Sequence, residues 1–178
     1  MTDLYHQFAD NRGAFERLLE RIPGFRGYLD KNDRRAADRA VRDYVADAVT
    51  RRIQRLNQIE KALLDGGGLS YMSKTTNVKA KLQTYHDRIK AAAPGYSGFM
   101  DAVRVDELAL ERLYNFDEAQ ILYADRFDKA LDAFDSAVQS QQGIDEAIAA
   151  LDALAVEANN AYSLRESVLT DLNDNLPK

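Results

Sequence analysis

Three groups of residues in this sequence have types and spacings that suit chemistry. The first is Gly68-Leu69-Ser70-Tyr71-Met72-Ser73-Lys74-Thr75, which follows the phosphate-binding pattern G-x-x-x-x-G-K-[ST] except that Ser73 replaces the second glycine. That glycine lets backbone N–H groups wrap closely around phosphate, and the loop has to follow a strand. Here a long amphipathic stretch precedes it, so Gly66 to Thr76 reads as a flexible link between helices, with Ser73, Thr75 or Thr76 as N-cap. The second group is the pool of acids and histidines that a di-iron helical bundle draws on, which requires two Glu-x-x-His pairs. His6 follows Asp3 and His86 follows Gln83 at that spacing, and no Glu-x-x-His occurs. The acids Glu111 and Asp117–Glu118 read as an exposed helix face rather than a catalytic dyad.

The third group is arginine. Arg34, Arg35, Arg39, Arg42, Arg51, Arg52 and Arg55 fall in one stretch. At 100° per residue, Arg52 lies near the centre of the apolar stripe formed by Val45, Leu56 and Leu63, with Arg35, Arg39 and Arg42 flanking it. A charge so placed needs an acidic partner or must reach water along its stem. Asp117, Asp128 and Asp135 line one edge of a later helix, so interhelical pairing of Arg34, Arg42 and Arg52 with these acids is expected. A phosphate-binding strip is the functional alternative, weakened by Asp33, Asp38, Asp43 and Asp47 in the same stretch.

The elements that position these residues are helices. The 178 residues include only 9 Gly and 3 Pro, and so few breakers favour long helices. Leu4, Phe8, Phe15, Leu18 and Ile22 share a helical face over residues 1–22, interrupted at Asn11 and Gly13 and stopped by Pro23-Gly24. A second helix over 32–64 ends at Gly66-Gly67-Gly68, and a third over 73–92 carries Val78, Leu82, Tyr85 and Ile89. The fourth, over 104–140, has the most regular pattern, with Leu113, Phe116, Gln120, Tyr123, Phe127, Ala130, Phe134 and Ala137 alternating steps of 3 and 4. After Ser140-Gln141-Gln142-Gly143 a fifth follows over 144–173, with Ile144, Ile148, Leu151, Ala155, Ala158 and Tyr162 in the same rhythm. So short a connection folds helices four and five into an antiparallel hairpin. Gln120 and Arg165 interrupt apolar seams, where polar residues fix register and partner choice. One domain is expected over 1–178: an all-α, elongated antiparallel helical bundle with coiled-coil-like packing.

Pro23-Gly24-Phe25-Arg26-Gly27-Tyr28 recurs 71 residues later as Pro94-Gly95-Tyr96-Ser97-Gly98-Phe99. Both segments are helix-breaking corners. Their aromatics either plug the bundle ends or form a recognition surface, which makes Phe25, Tyr28, Tyr96 and Phe99 candidate interaction residues.

Composition narrows the function classes. With no Cys there is no disulfide framework, thiolate metal site or cysteine nucleophile. No run approaches the roughly 18 apolar residues of a membrane span, and the N-terminal residues lack a signal-peptide pattern, so a cytoplasmic protein is expected. The net charge of −5 divides into +6 over residues 1–104 and −11 over residues 105–178. This asymmetry suits basic helices packed beside acidic ones, or a basic surface facing anionic lipid. The long hairpin resembles in architecture those of phage-shock-type bacterial membrane-maintenance proteins, although no motif carries the likeness. We expect a non-enzymatic helical interaction or scaffold protein that binds another protein, or a second copy of itself, through helix faces or the Pro-Gly-aromatic corners. An anionic membrane surface is the alternative partner. Neither nucleic acid, nor a cofactor or metal, nor a small-molecule substrate is expected.

Overall fold

The computed structural model describes residues 13–27, 34–91 and 107–174. Among the described residues five helices pack into an all-α bundle: α1 (Ala14–Arg21), α2 (Arg34–Asp65), α3 (Met72–Ala91), α4 (Glu107–Ser140) and α5 (Ile144–Asp174). No strand occurs among the described residues. Four helices fall within a few residues of the spans expected from periodicity. Of the first expected helix, α1 covers Ala14–Arg21, and residues 1–12 lie outside the described residues.

Both hairpin turns are closed by backbone hydrogen bonds. At the end of α2, Gly68 N–H donates to Leu63 O at 2.8 Å and Gly67 N–H to Leu64 O at 3.0 Å, with Gly67 left-handed at φ +84°. Glycine adopts that dihedral at no steric cost, and this bonding pattern satisfies the last carbonyls of a helix. A short 3-10 turn (Leu69–Tyr71) then runs straight into α3. The expected flexible link ending at an N-cap near Thr75 is therefore corrected. Thr75 is buried inside the first turn of α3, where its hydroxyl donates back to Met72 O at 3.2 Å. At the other hairpin, Gln142 N–H donates to Ala137 O and Gln141 takes the left-handed position. Asp145 and Glu146 follow in the first turn of α5, where negative charge suits the helix dipole.

Cross-helix pairs define the directions. Lys79 meets Glu60 and Lys90 meets Asp43, so α2 and α3 are antiparallel; α4 and α5 form the second antiparallel hairpin. Between hairpins the neighbours run in the same direction. Lys74–Asp145, Lys81–Asp152 and Arg88–Asn159 keep a constant offset of 71 residues along α3 and α5. Arg52–Asp128 and Arg55–Asp132, at offsets of 76 and 77, likewise advance together along α2 and α4. The hairpins thus lie side by side in one sense, with α2 against α4, α3 against α5, and α1 packed on α4. One core runs through all five helices, from Leu18 and Val45 through Leu82, Phe127 and Phe134 to Leu151 and Tyr162.

Candidate functional site

The middle of α4 is enclosed on every side. Residues 115–121 are all buried, including Asn115, Asp117, Glu118 and Gln120. The expectation that Asp117–Glu118 form an exposed face is corrected: α1 covers that side of α4, and only Glu111 of the three acids is exposed. Tyr85 of α3 donates its hydroxyl to Gln120 Oε1 at 2.6 Å across the core, and its ring meets Tyr162 of α5 edge-on at 6.3 Å. Gln120 Nε2 and Asn115 Oδ1 have no hydrogen-bond partner among the described residues. Gln120 is thus buried in the seam where its position placed it, and it joins α4 to α3 by one hydrogen bond.

α1 is clasped onto α4 by two arginines. Arg17 forms a two-pronged pair with Glu118, and Arg21 does the same with Asp125 at 2.7 and 3.0 Å. Hydrogen bonding to Asp125, and secondarily to Tyr44 of α2, holds the Arg21 pKa above its ordinary value; the Glu118 bond does the same for Arg17. Such fork-to-carboxylate pairs fix geometry as well as adding attraction. Apolar contacts complete the seat: Leu18 and Ile22 are buried, and the Phe15 ring packs at a tilt 5.1 Å from that of Tyr114.

This seat corrects one candidate interaction residue. Phe25 is 4% exposed and plugs the end of α1, packing 6.3 Å from Phe15 and 6.4 Å from Tyr114. Gly24 (φ +78°) and Gly27 (φ +82°) turn the chain inward here, and a Cβ on Gly27 would lie 2.7 Å from Phe15 and 2.8 Å from the Tyr114 hydroxyl. Tyr28, Tyr96 and Phe99 lie outside the described residues.

The arginines of α2 are divided between uses. Arg52 reaches Asp128, and also donates to Ala124 O at 3.2 Å and Ala48 O at 2.9 Å, so one guanidinium ties α2 to α4. Arg42 departs from expectation by pairing with Asp38 of its own helix at 2.7 Å, because a partner one turn away is reached without crossing to α4. Arg34 opens α2, Asp117 is fully buried, and Asp135 is half-buried on α4. Arg55 pairs with Asp132, while Arg35 and Arg39 line an open cleft of about 450 Å³ with Ala36, Ala40 and Asp43.

The phosphate-like stretch is not assembled as a phosphate loop. It follows helix α2, and Lys74 pairs with Asp145 at 2.6 Å. The two hairpin turns meet there around a cleft of about 190 Å³ lined by Leu63, Gly66–Gly68, Tyr71, Val138, Gln141 and Ile144. Beside it, Leu69 is 73% exposed and Leu64 41% exposed.

Among the described residues no three His, Asp or Glu side chains gather in a metal-binding group, and no helix is long and apolar enough to cross a membrane. No family model, curated protein or solved structure matches the chain. The sequence pattern singled out neither Arg17, Arg21 nor Asp125, and it put Glu118 on an exposed face. Their signal was available in part: Arg17 and Arg21 stand one turn apart beside the apolar Leu18 and Ile22.

Proposed function

We propose that this chain is a non-enzymatic, cytoplasmic helical interaction protein that binds another protein at its hairpin-turn end. The observation that carries this reading is Leu69, 73% exposed on the 3-10 turn beside Leu64 and the glycine-walled cleft. Apolar side chains held out on an ordered turn suit a partner that covers them and inserts an apolar group between the two turns. The long helices beneath serve as a scaffold, their charged groups largely engaged in pairs between helices.

The test is affinity capture with the wild-type chain and with the Leu64→Ser/Leu69→Ser variant. The expected result is a partner retained by the wild type and lost from the variant, with the melting temperature of the two chains alike. A partner retained equally by both sinks this surface. Vesicle flotation serves as the counter-test for the anionic-lipid alternative, which rests on the cleft at Arg35 and Arg39. Flotation confined to anionic vesicles and fading with salt would replace the protein-binding reading.

A further inference from the structure

We propose that the groove on α4 filled by α1 is a docking site for a partner's amphipathic helix carrying two arginines one turn apart, with α1 as its built-in occupant. The site is separate from the hairpin-turn end: Glu118 and Ser140 are 22 residues apart on α4, about 33 Å along the axis.

Three features support this. First, α1 has 8 residues and packs principally on α4. Helices shorter than about 12 residues are marginal by themselves, so α1 owes its helicity to the groove. Second, the groove contains its own recognition chemistry. Glu118 and Asp125 stand two turns apart on α4, one buried and one partly exposed, and each receives an arginine fork. Ile121 lies between them, and Tyr114 extends the apolar floor toward Phe15. Third, the sequence that fills the groove is compact and transferable. Phe15, Arg17, Leu18, Arg21 and Ile22 form the pattern apolar-x-Arg-apolar-x-x-Arg-apolar, whose apolar and basic positions both find partners in the site. Both arginines retain considerable exposure, 42% of each side chain. Water therefore competes for the clasp, and its strength is set by screening.

A partner helix of the same pattern would present the same forks to Glu118 and Asp125 and the same apolar stripe to Ile121 and Tyr114. Its apparent affinity is reduced by the fraction of molecules in which α1 is seated. Weakening the clasp from the α1 side should therefore increase binding in trans, whereas removing the carboxylates should abolish it.

The experiment uses the full chain and a fluorescent peptide with the sequence of residues 13–27. Anisotropy is measured against wild type, Arg17→Ala/Arg21→Ala, and that variant with Glu118→Gln/Asp125→Asn added. The expected result is binding about tenfold tighter to the arginine-deleted chain than to wild type, equivalent to about 1.4 kcal/mol released by the clasp. The added carboxylate changes should remove that binding, as should alanine at both peptide arginines. Hydrogen exchange of the wild-type chain supplies a second reading, with α1 amides expected to exchange at least about tenfold faster than the enclosed part of α4. No peptide binding to the arginine-deleted chain overturns the proposal, as does binding indifferent to the carboxylates. Loss of helicity throughout the arginine-deleted chain, or α1 exchanging only with global unfolding, overturns it as well, because α1 would then not leave its seat while the rest of the bundle stays folded.

Discussion

The two halves of α4 are built on different principles. From Phe127 to Ala137 the helix buries a single stripe, Phe127, Leu131, Phe134 and Ala137, and leaves Asp132, Ala133 and Ser136 in water. From Asn115 to Ile121 it buries every residue, because α1 and the Phe25 corner cover the face that lies open further along. The first half gains its stability from apolar area and shape. The second buries polar groups away from water, where Gln120 meets Tyr85 and Glu118 meets Arg17. A third helix and its aromatic corner, packed beside α2 and α5, thus add charged and polar pairs to what is elsewhere an apolar seam.

The largest expected effect breaks the apolar half. Phe134 is fully buried, and truncation to alanine removes its transfer free energy and leaves a cavity that the surrounding helices fill only in part. Phe134→Ala should cost about 3–5 kcal/mol, measured by urea or thermal unfolding. A cost below about 1 kcal/mol would mean that this half is loosely packed.

A smaller effect, with a different signature, belongs to the polar half. Tyr85→Phe removes the hydroxyl that reaches Gln120 Oε1 and leaves the amide without that bond at 2% exposure. The expected cost is about 1–3 kcal/mol. Adding Gln120→Met should restore most of it, since an apolar side chain of similar shape needs no partner. That recovery is the diagnostic, because deletion of apolar bulk in the other half has no equivalent rescue. If the two substitutions simply add, the Tyr85–Gln120 bond does not hold the register of this half.

The same contrast explains what the sequence disclosed. The stripe from Tyr123 to Ala137 was legible because a helix with one open face must alternate apolar steps of 3 and 4. So were the helix ends at Gly66–Gly68 and at Gln141–Gly143, where breakers coincide with a lapse in periodicity. Glu118 was misread because acidic residues on a helix generally face water, and only the arrival of α1, about 100 residues earlier in the chain, alters that. Phe25 was ambiguous for a related reason. Proline and glycine signal a corner, but the direction in which its aromatic turns depends on Phe15 and Tyr114 lying nearby. Arg52 could be placed on a partner because a charge inside an apolar stripe has few alternatives, whereas Arg42, on the flank, had Asp38 within one turn.

The smallest effect concerns the two turns that end the hairpins. They use the same hydrogen-bonding pattern, with Gly67 in the left-handed position of one and Gln141, at φ 56°, in that of the other. An L-residue with a Cβ incurs about 1 kcal/mol in that conformation, partly offset because glycine loses more freedom on folding. Gln141→Gly should therefore stabilise the chain by about 0.5–1 kcal/mol, read as a raised denaturation midpoint with an unchanged slope. Gly67→Gln should cost a similar amount, and for a purely backbone reason, since a Cβ at Gly67 would have no atom within 4 Å. The side chain of Gln141 also lines the cleft between the turns, so its removal separates two roles. A stability gain accompanied by unaltered partner capture would place recognition on Leu64 and Leu69 alone. A gain accompanied by weakened capture would mean that this glutamine is kept, at a cost in stability, for the contact it makes.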